Sequence, residues 1–293
     1  MDQRFPEHIK NGILRIKTKK DVFETFRIIK EKGLHTVCSS SRCPNLNLCF
    51  SNKTATFLLL GDKCTRQCPF CNIGFEEKPP VDQLEPEKIA YAVKSLKLNH
   101  TVITMVTRDD LDDGGAALVA QTVRSIRQAT NCRTIEVLTS DFKGNKDSIT
   151  KVLDSGIDIF GHNLETVERL YSVIRPGSSY KMSLNILKEV KEIKPAIMTK
   201  SGIMVGFGER KKEVFQAIDD LANSSIDFIT IGQYLRPSVS NTEVKEYLPL
   251  DTFLEYRKYA GRIGIKHIVS APLVRSSFGA EKFYNKVNHD RGI

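Results

Sequence analysis

Thr54-Ala-Thr-Phe-Leu-Leu-Leu60, then Gly61-Asp-Lys63, then Cys64-Thr-Arg-Gln-Cys68-Pro-Phe-Cys71 is the stretch on which the reading of this chain turns. The run Phe57 to Leu60 is strand-sized and bounded by a glycine turn, so it reads as a short buried strand. Immediately after it, three cysteines stand at C-x3-C-x2-C on one tight loop. Three thiolates so placed can hold three corners of a cubane iron–sulfur cluster and leave one iron without a protein ligand. That open iron is where a substrate or cofactor can coordinate. Structural zinc is the alternative for clustered thiols, but it favours a closed set of four ligands, usually paired as C-x2-C.

Outward from this loop, short apolar runs alternate with amphipathic stretches. Helices are expected over Glu87 to Leu98, Ala116 to Ala129, Asp147 to Ser155, Lys211 to Ala222 and Thr252 to Ile263, with helical segments from Thr166 and Lys181. Strands are expected at Val102 to Val106, Thr134 to Leu138, Ile157 to Phe160, within Ala196 to Val205, and at Phe228 to Ile231. Six successive β-then-α units imply a parallel sheet with right-handed crossovers. With no second half in evidence, the fold class is α/β, a partial (βα)6 TIM-type barrel with N- and C-terminal extensions. Residues 1–53 form the first extension, with a helix from Lys20 to Lys32. Residues 54–270 form the barrel, with Lys266 to Ser270 as an edge strand, and residues 271–293 form the second extension. In such a barrel the polar residues just after each strand face one mouth, where chemistry is done. Here they are Thr107-Arg-Asp-Asp, Ser140-Asp-Phe, His162-Asn-Leu-Glu, Gly206-Phe-Gly-Glu and Gln233-Tyr-Leu-Arg-Pro.

Composition narrows the class. The chain has 293 residues, 40% hydrophobic and 27% charged, as expected of a globular protein rather than a disordered one. No apolar run approaches the roughly 20 residues that span a bilayer, and the first residues lack a signal peptide's apolar core. A membrane or secreted protein is not expected. The 44 Lys+Arg against 35 Asp+Glu leave a net charge of +9, which suits a solvated surface or an acidic partner. The basic run Lys10 to Lys20 lacks interleaved aromatics, and no motif names a nucleic-acid platform. Of seven cysteines, six fall in two groups of three, and Cys132 reads as a buried free thiol. An odd total without a secretory signal argues for metal ligation over disulfides.

C-x3-C-x2-C after the first strand of a (βα) barrel resembles the radical S-adenosylmethionine superfamily. The earlier group, Cys38-Ser-Ser-Ser-Arg-Cys43-Pro-Asn-Leu-Asn-Leu-Cys49, has spacing C-x4-C-x5-C, for which a zinc loop is the alternative when it is taken alone. Together the two groups resemble the lipoyl synthase family. So do Arg42-Cys-Pro-Asn, Asn52-Lys-Thr-Ala-Thr-Phe, Val106-Thr-Arg-Asp-Asp-Leu-Asp-Asp-Gly-Gly-Ala, His162-Asn-Leu-Glu-Thr, Arg175-Pro-Gly, Lys200-Ser-Gly-Ile-Met-Val-Gly-Phe-Gly-Glu, Gly232-Gln-Tyr-Leu-Arg-Pro-Ser and Val274-Arg-Ser-Ser. The likeness runs from about Gly33 to Ala280, with departures at Phe278 and Gly279.

The resemblance implies two [4Fe-4S] clusters and S-adenosylmethionine. Cys64, Cys68 and Cys71 would hold the radical-generating cluster, whose open iron chelates the cofactor; one electron then yields methionine and a 5′-deoxyadenosyl radical. Cys38, Cys43 and Cys49 would hold an auxiliary cluster, with Ser277 as fourth ligand and Ser276 as the fallback. A serine oxygen is a harder ligand than thiolate and so a weak corner, which suits a cluster dismantled to give sulfur. Thr107, Asn163, Glu165, Gly206, Gly208 and Glu209 are candidate cofactor contacts, and Arg175 and Lys200 candidate carboxylate partners, although either base may pair with a barrel acid. His162 reads as a packed strand-end residue. The implied reaction inserts two sulfur atoms at C6 and C8 of an octanoyl-lysine on an acidic lipoyl carrier protein or domain. The implied electron donor is a ferredoxin or flavodoxin. A cytoplasmic monomer that binds neither nucleic acid nor membrane is expected. Two competitors are another two-cluster radical enzyme, such as an RNA methylthiotransferase, and a zinc-binding interaction protein.

Overall fold

The computed structural model describes residues 5–13, 20–52, 54–265 and 267–277. Phe278 and Gly279, the rest of the C-terminal extension and most of the basic run after Lys10 lie outside the described residues.

Among the described residues seven strands form one parallel sheet in chain order: β1 (Thr56–Leu59), β2 (His100–Met105), β3 (Thr134–Leu138), β4 (Ile159–Gly161), β5 (Met198–Val205), β6 (Phe228–Gln233) and β7 (His267–Ser270). The expected edge strand is thus a seventh parallel strand, in register with β6 from His267 opposite Phe228 to Ser270 opposite Ile231. A two-residue strand, His35–Thr36, adds antiparallel to the free edge of β1, Thr36 opposite Phe57. All four residues of β1 and all six of β2 are buried. Their apolar runs do not alternate because helices cover one face and the barrel interior the other.

The crossover helices are α1 (Glu85–Leu96), α2 (Ala116–Ala129), α3 (Lys146–Leu153), α4 (Tyr180–Ile193), α5 (Lys211–Asn223) and α6 (Leu250–Arg262). Their starts are chemically marked. Asn145 accepts a hydrogen bond from the Ser148 amide, and Ser179 one from the Met182 amide. Asp113 accepts from the amides of Gly115 and Ala117 at the head of α2. Each side chain satisfies amides that a first helical turn leaves unpaired. The helix expected from Thr166 starts late and is interrupted. Glu165 sits at φ 68° and bridges Ile203, so the chain is still following β5 there. Helical turns come only at Glu168–Leu170 and Tyr171–Ile174, and Pro176-Gly177 ends them before α4.

Two large apolar clusters stand out among the described residues. One joins β1 to β3 with α1 and α2 and includes Phe50 and Phe57; the other joins β5 and β6 with α5 and α6 and includes Ile231 and Phe253. Among the described residues no helix is long and apolar enough to cross a membrane.

Candidate active site

The Cys64–Cys71 loop leaves β1 through Lys63–Cys64, which pairs in parallel with Gly74–Phe75, a small sheet with no signal in the sequence. The pairing brings both ends of the loop together. Within it, the Cys71 amide donates to the Cys68 carbonyl at 2.9 Å, and the Arg66 amide donates to Cys64 Sγ at 3.4 Å. Phe70 sets its ring on Phe207, with centroids 6.3 Å apart, and so packs the loop onto the β5 end of the barrel. Asn241 donates from Nδ2 to the Cys71 carbonyl at 2.8 Å. Burial pushes the Cys68 thiol up to about 12, against the nearby Arg175 charge, and the Cys71 thiol up to about 11. These thiols stay protonated at neutral pH unless a metal takes the place of the proton.

The N-terminal group occupies a short helix, Val37–Ser40, a turn, and a second helix, Leu46–Ser51. Pairing of His35–Thr36 with β1 brings Cys38 beside Thr56, and burial raises the Cys38 thiol against the opposing effect of that neighbour. Burial, reinforced by Cys38 and Cys43 nearby, pushes the Cys49 thiol up to about 12. The three thiols are therefore neighbours, and none is in a disulfide. From the far end of the chain, Arg275 brings its guanidinium to Cys43. Thr56 Oγ1 donates to Ser277 Oγ at 2.8 Å, so Ser277 and Cys38 share Thr56 as a neighbour. Asn45 Nδ2 donates to the Leu273 carbonyl at 2.7 Å, and Asn72 Nδ2 to the Ser40 carbonyl at 2.7 Å. The second of these bonds ties the two cysteine loops to each other.

Five of these six cysteines, Cys38, Cys43, Cys64, Cys68 and Cys71, line one cavity of about 570 Å³, together with Ser277. Thr107, Asn163, Glu165 and Arg175 also line it, as do the apolar side chains Leu58, Leu138, Ile203 and Met204. Cys49, near Cys38 and Cys43, is outside the lining. Among the described residues no three Cys, His, Asp or Glu side chains converge to hold a single metal ion. A cubane makes a different demand: each thiolate meets its own iron, so the sulfurs surround a body rather than a point. Two groups of unpaired thiols, one cavity between them and a wall with both charge and apolar surface fit two such clusters and an amino-acid-bearing nucleoside.

Comparison with known proteins decides between the families weighed above. The radical SAM superfamily model matches residues 58–221. The lipoyl synthase of Caldicellulosiruptor bescii is 48% identical over 280 residues, covering 96% of each chain. That of Caldanaerobacter subterraneus is 45% identical over 281 residues, covering 96% of this chain and 97% of the other. The chain belongs to the lipoyl synthase family. It is an enzyme of the radical S-adenosylmethionine class, and that class implies a [4Fe-4S] cluster and S-adenosylmethionine. Solved structures share the fold at low identity. Methylornithine synthase is 16% identical with a TM-score of 0.50, covering 88% of this chain and 87% of that one. SuiB of Streptococcus suis bound to S-adenosylmethionine is 13% identical with a TM-score of 0.57, covering 87% of this chain and 62% of that one.

Not every expected contact of this lipoyl synthase family member reaches the cavity. Lys200 turns its ammonium to both oxygens of Glu136, at 2.9 Å each, in a buried pair across β3 and β5. Of the two readings of Lys200, a cofactor carboxylate or a barrel acid, the structure has the barrel acid. Gly206 and Phe207 spend their amides on the Glu209 carboxylate, at 2.6 and 2.9 Å, so the turn that was to offer amides to a ligand closes on itself. Gly206 is needed for room as well as shape: it sits at φ 113°, and a Cβ there would stand 2.2 Å from Gln233 Nε2. Gly208 is exposed.

The residues that remain at the cavity are well held. Asn163 Nδ2 donates to Glu165 Oε1 at 3.0 Å, and burial raises the Glu165 carboxyl above its ordinary range. Arg175 donates to the Asn163 carbonyl at 2.8 Å and to the Tyr171 hydroxyl at 2.6 Å. His162 packs between the Thr139 carbonyl and Ser183 Oγ, and burial lowers it to about 4, so it is a neutral spacer. Thr56, Arg66 and Arg275 touch this machinery without having been singled out as site residues, because their partners are far away in sequence.

Proposed function

We propose that this chain inserts two sulfur atoms, at C6 and C8, into an octanoyl chain carried on a lysine of an acidic lipoyl carrier protein or domain. The observation that carries the reading is the arrival of two cysteine groups and Ser277, remote in sequence, at one cavity. When bound, the cluster on Cys64, Cys68 and Cys71 supplies the electron that cleaves S-adenosylmethionine, and a second [4Fe-4S] cluster on Cys38, Cys43, Cys49 and Ser277 supplies sulfur.

The chain's own side chains do the rest. Arg175 offers a fixed guanidinium for a carboxylate, with Asn163 and Glu165 beside it for amine or hydroxyl groups. Leu58, Leu138, Ile203 and Met204 give an aliphatic chain an apolar wall and keep water from a carbon-centred radical. Thr56 holds the Ser277 hydroxyl at the edge of that wall. The net charge of +9 steers an acidic carrier toward the enzyme. A ferredoxin or flavodoxin as donor, a monomeric state and a cytoplasmic location complete the proposal.

The test is a single turnover on an octanoyl-lysine peptide with anaerobically reconstituted enzyme, read by mass. The expected product carries two added sulfurs, labelled when the auxiliary cluster is built with ³⁴S. Changing Cys38, Cys43 and Cys49 to Ala should stop insertion while cofactor cleavage continues. Unlabelled product would overturn the donor role, and a peptide left unchanged despite cofactor cleavage would overturn the substrate.

A further inference from the structure

Arg66 is the middle residue between Cys64 and Cys68, and both its ends are engaged. Its amide donates to Cys64 Sγ at 3.4 Å. Its guanidinium is nearly inaccessible, at 8% exposure, and lies between two carboxylates. Nε and Nη2 meet Asp109 at 2.7 and 2.9 Å; Nη1 and Nη2 meet Asp141 at 2.6 and 2.8 Å. Nη1 also donates to Ser178 Oγ at 2.9 Å. Asp109 follows β2, Asp141 follows β3, and Ser178 lies in the loop before α4, so one side chain gathers three βα loops onto the cysteine loop. Thr65 joins the same arrangement, with its amide and hydroxyl both donating to the Thr107 carbonyl at 3.0 Å.

We infer that Arg66 is a positioning residue: its doubly bidentate brace sets the spread of Cys64 and Cys68 and aims the Arg66 amide at the Cys64 sulfur. The planar fork is what the geometry requires, because a lysine carries one charged point and cannot face two carboxylates edge-on. Without the guanidinium, Asp109 and Asp141 would face one another as like charges, and the three loops would part. The amide–sulfur contact would be lost with them. Such contacts stabilise the more negative, reduced state of an iron–sulfur cluster and so help set its potential. The inference rests on the radical S-adenosylmethionine chemistry of this loop and not on the sulfur-inserting step, so cofactor cleavage alone can test it.

The experiment compares full-length wild type, Arg66→Lys and Arg66→Gln, reconstituted with both clusters. Deoxyadenosine formation, the midpoint potential of the open-iron cluster and overall melting are measured on each. Amide exchange over residues 62–73 is measured before reconstitution. Arg66→Gln should exchange faster at Thr65, at position 66 and at Cys71, shift the potential downward and cut kcat for cofactor cleavage by roughly 100-fold, the scale of a misplacement of about 1 Å. Arg66→Lys should recover part of the kcat but not the potential. Wild-type exchange and potential in Arg66→Gln would overturn the inference. So would equal losses in both variants that simply follow melting of the whole chain.

Discussion

Gly232 offers the sharpest test of how the C-terminal segment serves the site. It lies in β6 beside Val274, and a Cβ built on it would stand 2.1 Å from the Val274 carbonyl oxygen and 3.1 Å from its carbon. Non-bonded heavy atoms settle at about 3.5–4.0 Å, and the obstructing atoms are backbone, so no rotamer change relieves the clash. In Gly232→Ala the Val274 peptide must therefore retreat by about 1 Å or more. That peptide is part of the short segment that places Arg275 against Cys43 and Ser277 against Thr56. The Thr56–Ser277 bond is 2.8 Å long, so such a shift carries it beyond hydrogen-bond range. Overpacking of this kind costs about 1–3 kcal/mol, which a chain of this size survives, whereas a 1 Å misplacement at reacting groups costs on the order of 10²-fold in rate. The assay measures sulfur insertion and deoxyadenosine in the same reaction. Insertion should fall roughly 100-fold with deoxyadenosine formation near wild type. Gly261→Ala is the control: it lies in α6 with nothing within 4 Å of the added carbon, so it should be neutral or stabilising by about 0.5–1 kcal/mol. Normal sulfur insertion in Gly232→Ala would show that the seating of Val274 to Ser277 does not matter to the reaction.

Three further outcomes are expected. Lys200→Met strands Glu136 in a pair whose side chains are only 6% and 2% exposed. It should lower stability by about 3–5 kcal/mol in urea titration, and adding Glu136→Leu should recover most of that loss. Burial raises the Glu85 carboxyl from 4.5 to about 6, against the amides of Leu60 and Gly61 that favour its charge. The folded state therefore holds the proton more tightly, and wild-type stability falls as pH rises through that window. Glu85→Gln, measured against wild type in paired urea titrations, should gain about 2 kcal/mol between pH 4 and pH 7, and a constant difference would contradict the assignment. Screening over roughly 8 Å at physiological ionic strength should slow turnover of an intact acidic carrier more than that of an octanoyl peptide; equal salt sensitivity would remove steering as the role of the +9 charge.

The parts of this molecule legible in its sequence are those governed by local spacing. Ala116–Ala129 appears as a helix at the expected bounds because its apolar face repeats at helical period and Asp113 marks its start. The Cys64, Cys68 and Cys71 positions were readable because one loop carries all three. What the sequence hid are partnerships across strands. Arg66 finds Asp109 and Asp141 at separations of 43 and 75 residues, and Lys200 finds Glu136 at a separation of 64, with no local pattern to announce either. The sequence therefore leaves Lys200 open between a ligand carboxylate and a barrel acid, and the structure has the acid, while Gly206 to Glu209, expected to cradle a ligand, is satisfied from within. The break after β4 was hidden for a related reason: Glu165 keeps to the β5 edge through pairing with Ile203, which overrides the helical pattern that follows it.

The location of the second cysteine group follows from the barrel being incomplete. Seven parallel strands leave two open edges, and an open edge invites unwanted pairing unless something covers it. The β1 edge is covered by His35–Thr36, which runs directly into Cys38. At the other end of the sheet the β6–β7 ladder runs on, the Gln233 amide donating to the Pro272 carbonyl at 3.1 Å, and the chain then reaches Ser277. The segments that follow the two outermost strands, His35–Thr36 and β7, thus bring Cys38 and Ser277 beside Thr56. At the β1 edge, cover and the placing of Cys38 are therefore one arrangement. A change that unpairs His35–Thr36 from β1 would expose an edge and withdraw Cys38 from Ser277 together, while the Cys64–Cys71 loop, held by Arg66 and the β2 and β3 loops, would keep its own anchors.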